Sequence, residues 1–164
     1  MVLPCKELPP GALPELLAAF GLRVKTLAPE AAIAGSYWGA PEAGLVGNVL
    51  QLRPDTPVHS ALHEACHFIC MDDKRRAALH TDAGGTDTEE NAVCYLQCLL
   101  AARLRGYSRA RIFADMDDWG YHFLLGSTAA WFAGDADDAR RFLLARGLID
   151  DRDAVRIPGL ATAI

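Results

Sequence analysis

Two histidines and a glutamate near the middle of the chain have the spacing of a metal site. Residues 63–67 read His-Glu-Ala-Cys-His. Side chains four residues apart lie on one face of a helix, about one turn apart, so His63 and His67 can reach the same ion. Glu64 lies to one side of that face, where its carboxylate can take a proton from an activated water. The pattern predicts metal-assisted hydrolysis.

A third protein ligand must come from another element, because catalytic zinc usually has three such ligands and one open position. The next predicted helix begins at Thr86 or Asp87 and offers Glu89 and Glu90. Thr86 with Glu89 fits a capping box, in which the glutamate closes the helix start. Asp87 with Glu90 supplies a similar cap and would leave Glu89 free. These residues alone leave the choice between the two glutamates open.

The motif with its downstream glutamate resembles the gluzincin-type zinc metallopeptidases. His63-Glu64-x-x-His67 is followed 22 residues later by Glu89-x-x-Ala92, which is similar to the pattern that opens the ligand helix of that class. The small cytoplasmic ImmA/IrrE-like proteins are the distant relatives that it suggests. The resemblance implies that His63, His67 and Glu89 hold Zn²⁺. It also implies that Glu64 is the general base of peptide-bond hydrolysis.

The resemblance covers about residues 45–105 and has two departures. Val93 stands where an Asp or Asn that orients a ligand histidine is expected, and Cys66 stands where glycine is common. In the resembling peptidases an edge strand beside the site binds extended substrate. Val46 to Leu52 has the corresponding place in the chain, although an ordinary core strand is an equal alternative.

Peptide hydrolysis needs a further donor to the developing oxyanion. The candidates are Tyr107, Tyr121 and His122, and His122 is preferred as the catalytic donor. A buried aromatic cluster with a hydrogen-bonded histidine is the alternative interpretation of the same segment. His59, one turn before His63, is expected to serve packing or hydrogen bonding rather than metal ligation.

Five cysteines occur in the chain: Cys5, Cys66, Cys70, Cys94 and Cys98. The odd number and the absence of an apparent secretory signal predict free thiols in a reducing compartment. If Glu89 faces the metal, Cys94 and Cys98 face away on the same helix, which disfavours a four-cysteine metal site. A thiol-based sensor that uses Cys66 and Cys70 is a further alternative.

Composition excludes several other classes of function. The 164 residues carry a formal charge of −5, with 51% hydrophobic and 23% charged residues, and predict one folded domain over residues 1–164. Basic residues cluster only at residues 74–76, so nucleic-acid binding is not favoured. No signal peptide or membrane-length apolar run is apparent, so a soluble cytoplasmic protein is expected.

The predicted fold is α+β, with a small N-terminal sheet followed by a helical bundle whose first long helix carries the motif. The predicted elements are an irregular lead-in over 1–12, a helix over 14–20, strands over 22–27, 31–38 and 45–52, a helix from Thr56 to Met71, a loop over 72–85, helices over 86–105, 108–118, 119–134 and 135–146, and a loose tail over 150–164.

The expected partner is a peptide or protein substrate, whose identity the sequence does not give. An oligomer that completes the cleft is compatible with so short a chain. The first alternative function is a regulatory or partner-binding protein that holds a metal in a zincin-like fold without proteolysis. The second is an interaction domain without a metal, in which the histidines are core residues.

Overall fold

The computed structural model describes residues 1–36, 39–79 and 85–157, which contain seven α-helices and three strands. The predicted α+β class with a small N-terminal sheet is confirmed. In chain order the elements are α1 (Ala12–Ala18), β1 (Arg23–Thr26), β2 (Gly44–Val46), β3 (Val49–Leu52), α2 (Val58–Cys70), α3 (Asp73–Ala78), α4 (Asp87–Ala101), α5 (Arg109–Trp119), α6 (Thr128–Gly134) and α7 (Asp137–Ala145). Within these three ranges, no helix has the length and apolar character needed to cross a membrane.

The strands form one mixed sheet in the order β1-β3-β2. The central strand β3 pairs in parallel with β1, Arg23 opposite Val49, and antiparallel with β2, Leu45 opposite Leu50. For residues 46–52 the sequence leaves a substrate-pairing edge strand and an ordinary core strand as equal alternatives. The core alternative holds for β3, because both of its edges carry a neighbouring strand.

A two-residue turn divides the single strand predicted over residues 45–52. Gly47 and Asn48 lie between Val46, the last residue of β2, and Val49, the first of β3. Gly47 has a φ of +59°. Glycine adopts this left-handed conformation without a steric penalty, and tight hairpin turns require it. The turn makes β2 an edge strand next to the motif helix.

The outer edge of β2 is covered by residues 34–36. A Cβ atom built on Gly44 would lie 2.5 Å from the carbonyl carbon of Gly35 and 2.5 Å from the nitrogen of Ser36. The two backbones are therefore in direct contact. The sequence predicts a strand over 31–38, but residues 31–36 are irregular, and residues 37 and 38 lie outside the described chain. An extended peptide can pair with β2 only if this segment moves.

The motif helix α2 lies at the centre of the fold, against β2, β3, α4 and α5, while α4 also packs against α7. The largest fully buried apolar side chains are Leu17, Leu45, Leu50, Leu62, Ile69, Leu96, Leu100, Ile112, Met116 and Leu143. Truncation of one such leucine to alanine typically costs about 2–5 kcal/mol. This core fixes α2 and α4 relative to each other.

Some helix boundaries differ from the prediction because polar side chains that could cap a helix form other hydrogen bonds. Thr56, the predicted N-cap of α2, accepts the backbone N–H of Arg53 at 2.8 Å, and the helix begins two residues later. The helix predicted over 119–134 is interrupted. Gly120, with a φ of +105°, terminates α5, and Ser127 caps the short helix α6.

A short helix, α3, forms in the segment predicted as a loop over 72–85. Asp72 caps it by accepting the backbone N–H of Arg75 at 2.8 Å. Arg76 then donates to the carbonyl oxygens of Phe68 at 2.9 Å and Ile69 at 3.0 Å, so it also closes the end of α2. Residues 80–84 lie outside the described chain. The side chains of α3 thus connect the motif helix to α4.

The N-terminal lead-in over residues 1–12 is anchored to the body of the fold. The backbone N–H of Leu3 donates to Asp115 at 3.1 Å, and Pro4 forms an antiparallel bridge with Pro57 at the start of α2. Asp115 is 1% exposed. The lead-in is irregular as predicted except for a 3₁₀ turn over Cys5–Glu7 and for Ala12, which begins α1, and these bonds hold it against α2 and α5.

Residues 150–157 are also fixed, although the sequence predicts a loose tail over 150–164. Asp153 accepts hydrogen bonds from the hydroxyl of Tyr95 and from the guanidinium of Arg140, each at 2.6 Å. Residues 158–164 lie outside the described chain. The prediction of a loose tail is therefore wrong for its first half.

Gly44→Ala is expected to lower the free energy of unfolding by about 1–3 kcal/mol, because the new Cβ meets backbone atoms that cannot rotate away. Urea unfolding followed by circular dichroism measures this change. Gly134→Ala is the control: its Cβ meets only the end of Leu125 at 3.5 Å, and the site is helical, so stability is unchanged or slightly higher. Equal stability of Gly44→Ala and the wild type would contradict the close packing on β2.

Candidate metal centre

The two motif histidines direct the same ring nitrogen toward one point. Their ring centroids are 4.8 Å apart. The Nε2 atom of His63 lies 2.8 Å from one carboxylate oxygen of Glu90, and Nε2 of His67 lies 3.1 Å from the other. The i, i+4 spacing on α2 therefore has the effect predicted from the sequence, and Glu90 on α4 faces both rings.

These three side chains form a donor set that suits a divalent metal. In residues 1–36, 39–79 and 85–157, one group of three candidate ligands has donor atoms that all lie within 4.8 Å of one another. It consists of His63, His67 and Glu90. Zinc binds imidazole nitrogen and carboxylate oxygen at about 2.0–2.2 Å with tetrahedral angles, so two donors to one ion are about 3.4 Å apart. The donor atoms of this set would therefore have to rearrange slightly around an ion.

Glu89, preferred from the sequence as the third ligand, faces away from the histidines. Its two carboxylate oxygens accept hydrogen bonds from the guanidinium of Arg75 at 2.7 and 2.8 Å, and its side chain is nearly fully buried. Its backbone N–H donates to the hydroxyl of Thr86 at 3.2 Å, as in the capping alternative. Gly85 packs directly over the carboxylate, since a Cβ there would lie 2.8 Å from Oε2. The structure thus brings Glu90, rather than Glu89, to His63.

This rotation of α4 also changes where its cysteines lie. The sequence predicted that Cys94 and Cys98 face away from the metal helix. With Glu90 directed at α2, Cys94 is one turn further along the same face, where it contributes to the electrostatic environment of His63. Cys98 contacts the sulfur of Met116 at 3.7 Å. In the described part of the chain, no four-cysteine group has its sulfur atoms close enough to share one ion.

The thiols themselves have a weak tendency to ionise. All five cysteines are free, and four of them are buried. Burial raises the pKa of Cys66 well above 9.0 and the pKa of Cys70 to about 12. A thiol with a raised pKa is a poor nucleophile and is oxidised slowly. These properties agree with the prediction of free thiols and weaken the alternative of a sensor based on Cys66 and Cys70.

Gln97 is placed to orient the ring of His63. An Asp or Asn is expected from the sequence at position 93 for this role, but the chain has Val93 there. Its Oε1 atom lies 2.6 Å from Nδ1 of His63, and its amide nitrogen donates to the carbonyl oxygen of His59 at 3.2 Å. An acceptor at Nδ1 keeps the proton there and leaves Nε2 available to a metal. Gln97 lies one turn beyond Val93, which is buried in the core. The i+7 spacing from Glu90 is the signal that could have identified it.

Glu64 has the environment of a proton acceptor beside the cluster. It is half-buried, and this desolvation raises its pKa above 4.5, although the charges of His63 and His67 oppose the shift. The carboxylates of Glu90 and Glu42 act in the same direction as burial. A carboxylate with a raised pKa is a stronger base, which suits the role predicted for Glu64.

The charges of the cluster are strongly coupled. Burial would lower the pKa of His63, but its contact with the carboxylate of Glu90 acts in the opposite direction, and the pKa is raised above 6.5 overall. Burial would raise the pKa of Glu90, but its hydrogen bonds to His63 and His67 lower it overall. These shifts favour a proton on His63 in the metal-free cluster, and a metal bound there would displace it.

Tyr121, rather than His122, lies beside the motif. The ring of Tyr121 meets His63 edge-on with centroids 5.9 Å apart, and burial raises its pKa to about 12. His122, the preferred oxyanion donor, is exposed. The hydroxyl of Tyr107, the third candidate, donates to Asp115 at 2.8 Å.

His59 has the structural role expected for it. It is fully buried, and burial lowers its pKa to about 4, so the ring is neutral. Its Nδ1 atom lies 3.5 Å from the hydroxyl of Tyr121, and its ring contacts Trp119. Its Nε2 atom has no hydrogen-bond partner among the described residues. His59 thus packs against Tyr121 and helps to hold the tyrosine ring beside His63.

Gln97→Leu is expected to weaken the binding of a divalent metal by roughly 10–100-fold, because His63 loses the acceptor that fixes its tautomer. Zinc affinity is measured by competition with a chromophoric chelator. Leu100→Ala on the same helix is the control. It should lower the free energy of unfolding by about 2–5 kcal/mol with little change in zinc affinity. Equal losses of zinc affinity in both variants would assign the effect to stability rather than to His63.

No protein-family model, curated protein or solved structure matches the chain. The chemistry of the cluster is therefore inferred from its own residues.

Proposed function

We propose that this chain is a zinc-dependent metallopeptidase in which His63, His67 and Glu90 hold the ion. The observation that carries the proposal is the convergence of two Nε2 atoms and one carboxylate beside the half-buried Glu64. Two histidines and a glutamate are a common ligand set of catalytic zinc. The five free thiols agree with a reducing compartment, as expected for a cytoplasmic protein.

Each residue beside the ligands has a role in this proposal. When bound, zinc supplies Lewis-acid chemistry that activates water and polarises a carbonyl group. Glu64 takes the proton of the attacking water and returns it to the leaving amine. Tyr121 is protonated at neutral pH, as tyrosines ordinarily are, and burial raises its pKa further, so its hydroxyl can donate to the carbonyl oxygen of the substrate.

The proposed substrate is a peptide or a protein. Glu42 and Trp119 join the chain before β2 to the end of α5 by a hydrogen bond of 2.7 Å between the indole nitrogen and the carboxylate. Glu42 acts electrostatically on both Glu64 and Tyr121, so this bond lies near the proposed reaction centre. A substrate must reach the cluster past this bond rather than by pairing with β3.

A second candidate is a metal-binding regulatory protein without proteolysis. The observation that favours it is the cover that residues 34–36 place on the outer edge of β2. That edge is where an extended substrate would otherwise add a strand. A metal bound by His63, His67 and Glu90 would then stabilise the packing of α2 on α4 for a partner to recognise.

Glu90→Gln is expected to weaken zinc binding by more than about 100-fold, because loss of a ligand exceeds the usual loss from an orienting residue. Glu89→Gln is the matched control: its amide oxygen can still accept from Arg75, so the loss should be much smaller. Chelator competition on both variants gives the two affinities. The reverse order would restore Glu89 as the ligand, and purified wild-type protein without zinc affinity would contradict the site.

Glu64→Gln is expected to keep zinc bound while kcat/KM for peptide hydrolysis falls by about 10²–10⁴-fold, since the amide cannot accept the proton. Cleavage of a mixture-based peptide library, followed by mass spectrometry, measures this change. Glu15→Gln is the control, since Glu15 is exposed on α1, where it pairs with Arg105, and this variant should retain most of the activity. If zinc-loaded wild-type protein and Glu64→Gln give identical product profiles, the second candidate replaces the first.

A further inference from the structure

A cavity of about 410 Å³ lies at the C-terminal end of α2, where α2, α3 and the end of α7 meet. It is lined by Ile69, Cys70, Met71, Asp72, Arg76, Arg146, Gly147, Leu148, Arg156 and Ile157. This volume is within the range of small-molecule sites, about 300–1,000 Å³. Leu148 and Ile157 are the partly exposed apolar residues of the lining, so they give the cavity an apolar wall that a ligand can contact.

The rim of this cavity is positively charged although the whole chain has a formal charge of −5. Arg76, Arg146 and Arg156 line it together with a single carboxylate, Asp72. Asp72 is used as the cap of α3. Asp150, a further carboxylate near Arg156, accepts the backbone N–H groups of the loop that follows it. The local balance therefore favours an anion.

Two of the three guanidinium groups have hydrogen-bonding capacity to spare. Arg76 is engaged with the carbonyl oxygens at the end of α2. Arg146 stacks over the ring of Phe142 at 4.7 Å, and Arg156 uses only its backbone N–H, toward Leu148. In the described ranges, no residue accepts a hydrogen bond from the side chain of either arginine. A guanidinium presents five donors and binds carboxylates or phosphates in a bidentate manner.

The position of Arg156 is fixed by a loop with an unusual backbone. Ile149 and Val155 form an isolated antiparallel bridge, which closes the loop. Within it Asp153 has a φ of +61°, a left-handed conformation that is uncommon outside glycine. The bonds from Tyr95 and Arg140 to Asp153 hold this conformation. The loop thus fixes the backbone of Arg156 beside the cavity.

We propose that this cavity binds a small organic anion, with a carboxylate or phosphate group between Arg146 and Arg156 and an apolar part against Leu148 and Ile157. The charged rim suits the anionic group of such a ligand, and the apolar wall suits its hydrocarbon part. Carboxylate and phosphate share this chemistry, and the probes below separate them. The proposal uses no residue of the metal cluster and does not depend on peptidase activity.

Isothermal titration of the full-length protein with octanoate, octyl phosphate, inorganic phosphate and 1-octanol tests the proposal. Octanoate or octyl phosphate should bind saturably, and the tighter of the two identifies the preferred head group. Arg146→Gln and Arg156→Gln should each weaken that binding by roughly tenfold, the loss expected for a hydrogen bond to a charged group. Added salt should weaken it further.

Arg103→Gln is the control, since Arg103 is an exposed arginine that does not line the cavity, and binding by this variant should equal that of the wild type. Circular dichroism confirms that each variant is folded. Absence of saturable binding by both organic anions overturns the proposal. So does equal affinity of the wild type and the Arg146→Gln, Arg156→Gln double variant. If 1-octanol or inorganic phosphate binds as tightly as the organic anions, the proposal that the ligand needs both an anionic and an apolar part is wrong.

Discussion

The ion pair between Arg75 and Glu89 determines how the candidate metal centre is assembled. Glu89 is 4% exposed, and a buried carboxylate without a partner is destabilising by several kcal/mol. The first turn of α4 must therefore direct Glu89 toward Arg75. Adjacent helical residues differ by about 100° in direction, so this choice sends Glu90 to the histidines of α2. Cys94 and Gln97 follow on the same face of α4. One charged contact outside the motif thus selects which side chains meet the motif.

The motif helix and the placement of its side chains could be predicted from the sequence because they depend on local spacing. The i, i+4 relation of His63 and His67 and the adjacent Glu64 need only a helix, and the core holds that helix as expected. The carboxylate that meets the two histidines could not be predicted in the same way. Two neighbouring carboxylates fit the sequence equally well, and the rotation of α4 decides between them. That rotation depends on Arg75, which lies in a segment predicted as a loop.

The order of the strands in the sheet could not be predicted from local sequence either. Strand-forming residues at 45–52 were recognised, but the Gly47-Asn48 turn that divides them makes Val49–Leu52 a central strand. A parallel partner from residues 23–26 occupies its second edge. Such pairing depends on contacts between segments distant in sequence, which periodicity does not encode. The close approach of Gly35 to β2 is equally non-local, since only the absence of two side chains permits it.

The amide of Gln97 has a consequence for the net charge of the centre. An aspartate in this orienting position would add a negative charge next to His63, whereas an amide orients the ring and remains neutral. If the cluster holds a divalent ion, its two neutral imidazoles and one carboxylate would cancel only half of the charge of that ion. Both histidines are largely buried and Glu90 is half exposed, so the remaining positive charge would be only partly screened. Such a centre would attract electron-rich groups, and Glu64 would supply electrostatic compensation. The identity of one uncharged side chain would therefore affect how electrophilic such a centre is.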